Sequence, residues 1–176
     1  MALQPGTNRQ VPDHSIMDAF NKQTYLGNQF VYVNNGTTGT TSEFPFILLS
    51  NPAVTTSGFP ANYQSLFVNF NKLICQTAAA TATAKIYLNP TVTGAGTAKT
   101  PVNLRTGSAT TSAGVLTASP SVSSNGTLIG VLNASPGLAD MTNILSIIDP
   151  GNSILITVTT SSTTTTVASE IVWYSL

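Results

Sequence analysis

Charge is scarce in this chain. Only 7% of its 176 residues are Asp, Glu, Lys or Arg, the six acids balance the six bases, and from Thr106 to Ala139 no side chain ionises. Without a basic excess there is no electrostatic hold on phosphates, so the expectation is a protein with no nucleic-acid partner. Its partners must be held by shape, apolar contact and backbone pairing, and attachment of that kind depends only weakly on salt.

Cysteine and histidine are as rare. Cys75 stands alone, cannot form an internal disulfide, and lies in a strand-like apolar setting that suits a small buried hydrophobe. His14 is the single histidine and no Gly-x-Ser-x-Gly elbow occurs, so a hydrolase nucleophile has no base in reach. Glu43 and Glu170 are the sole glutamates, a poor start for the facing carboxylates of a glycosidase. Asp149-Pro-Gly-Asn152 reads as a β-turn rather than a calcium loop, and Gly94-Ala-Gly96 leads into no helix that could cradle phosphate. The expectation is a non-enzymatic protein without metal or cofactor. No apolar run reaches membrane-spanning length, and Met1-Ala-Leu-Gln-Pro-Gly6 lacks the parts of a signal peptide. That predicts no membrane partner and assembly in a cytoplasm.

Hydroxyl groups are abundant instead: Ser and Thr number 46. With Val, Ile, Leu and Phe enough for a packed core, the length suits one domain whose surface is coated with hydroxyls and amides. Residues 1–28 differ from the rest. They hold Arg9, Asp13, Asp18 and Lys22, four of the twelve formal charges, together with two prolines. Asp13 is placed to cap a helical turn or two with Ile16, Met17 and Phe20 on one face, too short to be stable alone. The segment reads as an N-terminal arm that docks against something, either its own domain or a partner.

From residue 29 the pattern is β. Phe30–Val33 and Phe44–Leu49 read as strands, with Asn34-Asn-Gly36 as a turn and 37–42 as a loop. A long loop follows, in which Phe59 and Tyr63 are anchors. Leu66, Val68 and Phe70 alternate until Asn71-Lys72 breaks the phase before Leu73 and Cys75, which predicts a bulge. Ala84, Ile86 and Leu88 point inward and Lys85 and Tyr87 outward. Strands are expected at Val102–Leu104, Val115–Ala118 and Thr127–Leu132, and a brief helical turn at Leu138–Met141. Ile154–Val158 and Val167–Tyr174 read as the arms of a hairpin, with Trp173 on the core face beside Ile171 and Val167 and Glu170 on the outward face.

One phrase occurs twice. Pro90-Thr-Val-Thr-x-x-Gly96-Thr97 returns thirty residues later as Pro120-Ser-Val-Ser-x-x-Gly126-Thr127. Each copy is an extended segment opened by Pro and closed by a Gly turn, with a strand pair between them. Two copies are too few for a solenoid, so they read as equivalent edges of one sandwich. Eight or nine short strands without a long helix predict an all-β fold, a single jelly-roll-like β-sandwich over 29–176 carrying the arm 1–28.

The same stretch carries a family resemblance. Asn89-Pro-Thr-Val-Thr93, Gly96-Thr-Ala98, Thr100-Pro-Val-Asn-Leu104, a hydroxyl tract and Pro120-x-Val122-x-x-x-Gly126-Thr127 are followed by Asp149-Pro-Gly-Asn152, an aliphatic strand and Trp173-Tyr174. From about Ser65 onward this order resembles small virion structural proteins of tailed bacteriophages, of the capsid decoration or head-fibre-like kind. Members commonly end near a Glu after the Trp-Tyr pair, where this chain has Ser175-Leu176. The resemblance implies a virion structural protein on the capsid surface, a homotrimer, with the major capsid protein as its partner. Ile16, Met17, Phe20 and Tyr25 are then the candidates for contact with the capsid or a neighbouring subunit. The alternative is a receptor-binding or fibre-tip module that recognises carbohydrate, with Phe59, Asn62 and Tyr63 as its ligand loop. A cellular adhesin is a third reading, disfavoured by the absent secretion signal.

Overall fold

The computed structural model describes residues 29–52, 65–104, 106–109 and 114–175, with backbone only at 71 and 175. In chain order the strands are β1 (Gln29–Thr37), β2 (Phe44–Ser50), β3 (Leu66–Cys75), β4 (Ala82–Leu88), β5 (Thr91–Gly94), β6 (Thr97–Lys99), β7 (Val102–Asn103) and β8 (Ser108–Ala109). They continue as β9 (Val115–Ala118), β10 (Ser121–Ser124), β11 (Thr127–Ala134), β12 (Ala139–Asp140), β13 (Ile144–Ile148), β14 (Ser153–Thr160) and β15 (Thr166–Ser175). No described residue is helical.

Two antiparallel sheets face each other. The first runs β1–β15–β3, with β12 and β13 together along the outer side of β3, and gains β7 and β8 beyond β1. The second runs β11–β4–β14–β2 and gains β9 and β6 beyond β2. With β12 and β13 taken as one strand and β5–β10 as an insertion, the eight principal strands number 1-8-3-6 in one sheet and 2-7-4-5 in the other. That interleaving of two Greek keys is a jelly roll. The fold expected from the sequence is therefore the fold observed.

The core lies between the sheets. Ile47, Leu49, Leu66, Leu73, Ile86, Leu132, Ile154, Ile156 and Ile171 meet there around Trp173, which is fully buried and stacks on Phe30 with ring centroids 5.7 Å apart. Two bulges keep apolar residues facing inward where strict alternation fails. In β3, Glu170 pairs with Lys72 but Ile171 with Phe70, so Asn71 is the extra residue, as the broken phase predicts. In β2, Ile156 pairs with Ile47 and Thr157 with Pro45, which leaves Phe46 extra beside a proline that cannot donate to the ladder.

The thirty-residue repeat forms a local two-fold. Val92 pairs with Val122 in a ribbon of β5 and β10. Around it the partners exchange: Thr127 pairs with Leu88, and Thr97, thirty residues earlier, pairs with Ala118, thirty residues after Leu88. Asn89 and Ser119 both have positive φ, 54° and 49°. The two units stand at opposite edges of the second sheet, β4·β11 at one and β9·β6 at the other, as expected of equivalent edges.

Other expectations need correcting. The two strands expected between the repeat copies, at Val102–Leu104 and Val115–Ala118, do not pair with each other: β7 pairs with β1 and β8 in the first sheet, and β9 with β2 and β6 in the second. Asn34–Gly36 continues β1, because Ser169, Ala168 and Val167 hold its backbone in register. β14 and β15 are not a hairpin, since β14 is flanked by β2 and β4 and β15 by β1 and β3. Around Leu138–Met141 there is no helical turn: Gly137 turns the chain at φ 68°, and Ala139 and Asp140 pair with Ile74 and Leu73. The arm 1–28 lies outside the described residues.

Candidate interaction surface

The residues singled out in the sequence, Ile16, Met17, Phe20 and Tyr25 in the arm and Phe59, Asn62 and Tyr63 in the long loop, lie outside the described residues, as does His14. What the structure brings together is a different set.

The two long edges of the sandwich are built differently. On the β1/β2 side the insertion ends both sheets in very short strands, β8 of two residues and β6 of three, the latter carrying Lys99. Short, charged edge strands discourage pairing with another chain. On the opposite side the sheets end in β11, eight residues long, and β13, five, each paired on one flank only. The two strands approach closely at Gly130, where an added Cβ would strike the Ile144 side chain.

This second edge is apolar. Leu128, Ile129, Val131, Leu138 and Met141 are each between 36% and 62% exposed along β11 and the turns around β12. Asp140 is the one ionisable residue between 128 and 147, and its carboxylate is spent on the backbone, accepting from Asn133 N at 2.7 Å and Thr142 N at 2.9 Å. Those bonds outweigh its partial burial and lower its pKa. A register shift between Leu128 and Gly130 makes Ile129 a bulge residue, which turns that end of β11 away from simple strand addition. The edge is suited to side-chain packing.

Around the corner, the outer face of the first sheet carries a second apolar set in two cross-strand rows. Gln29, Tyr174, Phe67 and Ile147 are successive register partners across β1, β15, β3 and β13; so are Val31, Val172, Asn69 and Leu145. Leu145 is 75% exposed, Ile147 51% and Phe67 42%. The Gln29 amide donates to the Tyr174 hydroxyl at 2.9 Å. Asn69 donates weakly to Asn143, while its Oδ1 is shielded from solvent without a partner. Further along, Val33, Lys72, Ile74, Ala168, Ser169 and Glu170 line a shallow depression of about 110 Å³, well below the several hundred Å³ of typical ligand pockets.

A polar cluster sits on the outer side of the second sheet. Glu43, just before β2, accepts from Lys85 Nζ at 2.7 Å, Tyr87 OH at 2.8 Å, Thr157 Oγ1 at 2.7 Å and Asn125 Nδ2 at 3.1 Å. Partial burial pushes the Glu43 pKa up, but the bonds from Lys85, Thr157 and Tyr87 and the Lys85 charge win, and it is lowered. The Glu43 hydrogen bond, then its charge, raises the Lys85 pKa. Asp149 accepts from Ser65 at 2.6 Å and opens the expected turn, with Asn152 N bonded to its carbonyl at 3.0 Å. Cys75 is buried, its thiol donating to Ala80 O at 3.0 Å. Among the described residues no three His, Cys, Asp or Glu side chains group as a metal site.

Sequence reasoning missed β13. Ile144-Leu-Ser-Ile-Ile148 is a β-branched run bounded by Asn143 and Asp149-Pro150, a sufficient strand signal.

No family model matches the chain, and no curated protein does. Distant likenesses exist among solved structures. The VP2 subviral particle of infectious bursal disease virus is 14% identical, covering 84% of this chain and 33% of that one, with a TM-score of 0.29. The carbohydrate-binding module CBM36, solved with calcium and xylotriose, is 8% identical over 79% of this chain and 97% of its own, with a TM-score of 0.25. The virus-like particle of the extra small virus of the prawn Macrobrachium rosenbergii is 12% identical over 81% and 79%, with a TM-score of 0.20. The chain spans about a third (33%) of the length of the VP2 chain it matches.

Proposed function

We propose that this chain is a non-enzymatic structural protein of a virion, a decoration or cement protein on the outside of a phage head. Its partner is the major capsid protein and its assembly state a homotrimer, which fits three-fold points of a shell. One observation carries the reading: the long, apolar, nearly uncharged β11–β12 edge, set against an opposite edge closed by short strands. Leu128, Ile129, Val131, Leu138 and Met141 are already partly covered. Burying the remainder contributes about 1 kcal/mol each, roughly half the value of a fully exposed aliphatic side chain. Five such residues on one edge make a one-sided adhesive surface. Three of the four described carboxylates, Glu43, Asp140 and Asp149, are committed to hydrogen bonds that hold loops and strands together, which supports a structural role.

The test is co-sedimentation with undecorated particles of the virus that encodes the chain, at low and at molar salt. At 1 M salt the screening length falls to about 3 Å, so apolar attachment persists there. Ile129→Asp with Met141→Asp abolishes it. Attachment lost in moderate salt, or unaffected by the double substitution, contradicts the reading.

A further inference from the structure

Edge strands are ordinarily blunted by shortness, charge, proline or a bulge. β6, β8 and β12 are two or three residues long, β6 carries Lys99, and β11 is bulged at Ile129. β13, Ile144-Leu-Ser-Ile-Ile148, has none of these guards, and its register against β3 runs unbroken from Ile144 with Phe70 to Ile148 with Leu66. Among the described residues it pairs on that flank alone. We infer that its other flank takes the same strand of a second copy of the chain, antiparallel, about a two-fold axis at Ser146. The inference goes beyond the capsid reading and does not rest on it. A two-fold contact adds to a three-fold assembly by joining one trimer to the next.

The strand's own residues select both partner and register. With Ser146 opposite its counterpart, Leu145 faces Ile147 of the second copy, and Ile147 faces its Leu145. All four lie on the outer face of the first sheet, and Leu145 is more exposed than any other large apolar side chain among the described residues. Directly opposed apolar side chains are the pairs that stabilise a sheet. Just beyond each strand end, the Asn143 amide meets the exposed Asp149 carboxylate of the second copy, a donor against an acceptor. Two-fold symmetry repeats that match at the other end, so the strand is its own complement.

Other registers lose these matches. Centred on Leu145, the ladder sets Ile147 opposite Asn143; centred on Ile147, it sets Leu145 opposite Asp149. A slip of one residue brings an outward side chain against an inward one. The strand is also held ready on its own molecule. Ile148 is buried and its carbonyl accepts from Asn51 Nδ2 at 2.8 Å, while the Ile144 side chain packs against Gly130. A strand already fixed in place has little ordering left to undergo on pairing.

The test uses the full chain in solution and traps the contact as a disulfide, which reads a pairing too small to hold a dimer at low concentration. Ser146→Cys is oxidised mildly and the rate of covalent dimer formation is followed on non-reducing gels; the native thiol, Cys75, is buried. Directly opposed residues of an antiparallel pair have Cα atoms about 4.5–5.5 Å apart, within disulfide reach. Leu145→Cys is the comparison. Leu145 is exposed and Ser146 only half-buried, so chance collision favours Leu145→Cys. In the inferred register, however, the two copies of position 145 stand about 8 Å apart, too far to bridge. Ser146→Cys is therefore expected to cross-link several-fold faster than Leu145→Cys. Adding Leu145→Lys and Ile147→Lys, both at exposed positions, is expected to slow Ser146→Cys several-fold while circular dichroism stays unchanged. No cross-linking of Ser146→Cys would mean that something other than a second copy occupies the flank, and overturns the inference. So does cross-linking of Leu145→Cys at an equal or faster rate, or a rate that the lysines leave unchanged.

Discussion

The local two-fold of the repeat makes a sharp demand on Gly126. Its φ is 91°, and a Cβ there would collide with the Leu88 carbonyl oxygen and lie 2.8 Å from the Asn89 carbonyl carbon. Those are backbone atoms with little room to yield. Asn89 N is bonded to Ser153 O at 2.8 Å, Ser153 N to Asn89 Oδ1 at 3.2 Å, and Leu88 is in register with both Ile154 and Thr127. Gly126→Ala therefore carries two costs. The left-handed conformation costs about 1–2 kcal/mol, and forcing a methyl group against packed neighbours adds about 1–3 kcal/mol. At about 2–4 °C of melting temperature per kcal/mol for a chain of this size, the sum is a loss of roughly 5–20 °C. Gly137→Ala is the matched control: φ is 68° and nothing lies within 4 Å of the added Cβ. It incurs the first cost alone, about 2–8 °C. Gly96→Ala, the repeat mate, meets Pro120 Cα at 2.9 Å and should behave like Gly126→Ala. Thermal unfolding followed by circular dichroism measures all three. Equal losses for Gly126→Ala and Gly137→Ala would refute the reciprocal packing.

Other expectations follow from single residues. The lowered pKa of Glu43 stabilises the fold above the ordinary value of 4.5, and that contribution is lost as pH falls through the depressed folded value. Glu43→Gln should therefore lower the urea midpoint at pH 7, and the gap to the unaltered chain should close in acid; a gap that persists undiminished at pH 2 contradicts the network's role. Cys75 is fully buried, so a thiol reagent should label it only at the rate of unfolding, and rapid labelling of native protein would place it elsewhere. Trp173, the single tryptophan, should resist quenching by acrylamide in the native state and become accessible in denaturant; ready quenching beforehand would deny it the core.

Much of the fold was legible because local pattern and tertiary role coincide. Ala84, Ile86 and Leu88 alternate with Lys85 and Tyr87 in both sequence and structure, and the broken phase at Asn71 is the bulge itself. The repeat at Pro90 and Pro120 marked two equivalent sheet edges, although nothing in its spacing showed that Val92 and Val122 would pair. What escaped is what pairing decides. Ser161–Thr166 looks like a hairpin turn, yet it carries the chain from one sheet to the other, because both flanks of β14 are already occupied by β2 and β4. Residues 138–141 have helical spacing, but pairing with Ile74 and Leu73 of β3 holds Ala139 and Asp140 extended. The apolar edge was hidden for a related reason. Leu128 and Ile129 have the same composition as buried Leu132, and only the position of β11 at the end of its sheet leaves them exposed.

The central claim, a structural protein spread over the outside of a capsid, is tested most directly by copy number. The proposed function is tested on purified particles of the phage it supposes, by quantitative mass spectrometry against the major capsid protein. The expected result is a fixed stoichiometric ratio to the shell subunit, set by the number of three-fold or quasi-three-fold positions. A handful of copies would place the protein at a vertex or the tail, and its absence from the particle would remove it from the virion altogether; either result contradicts the account.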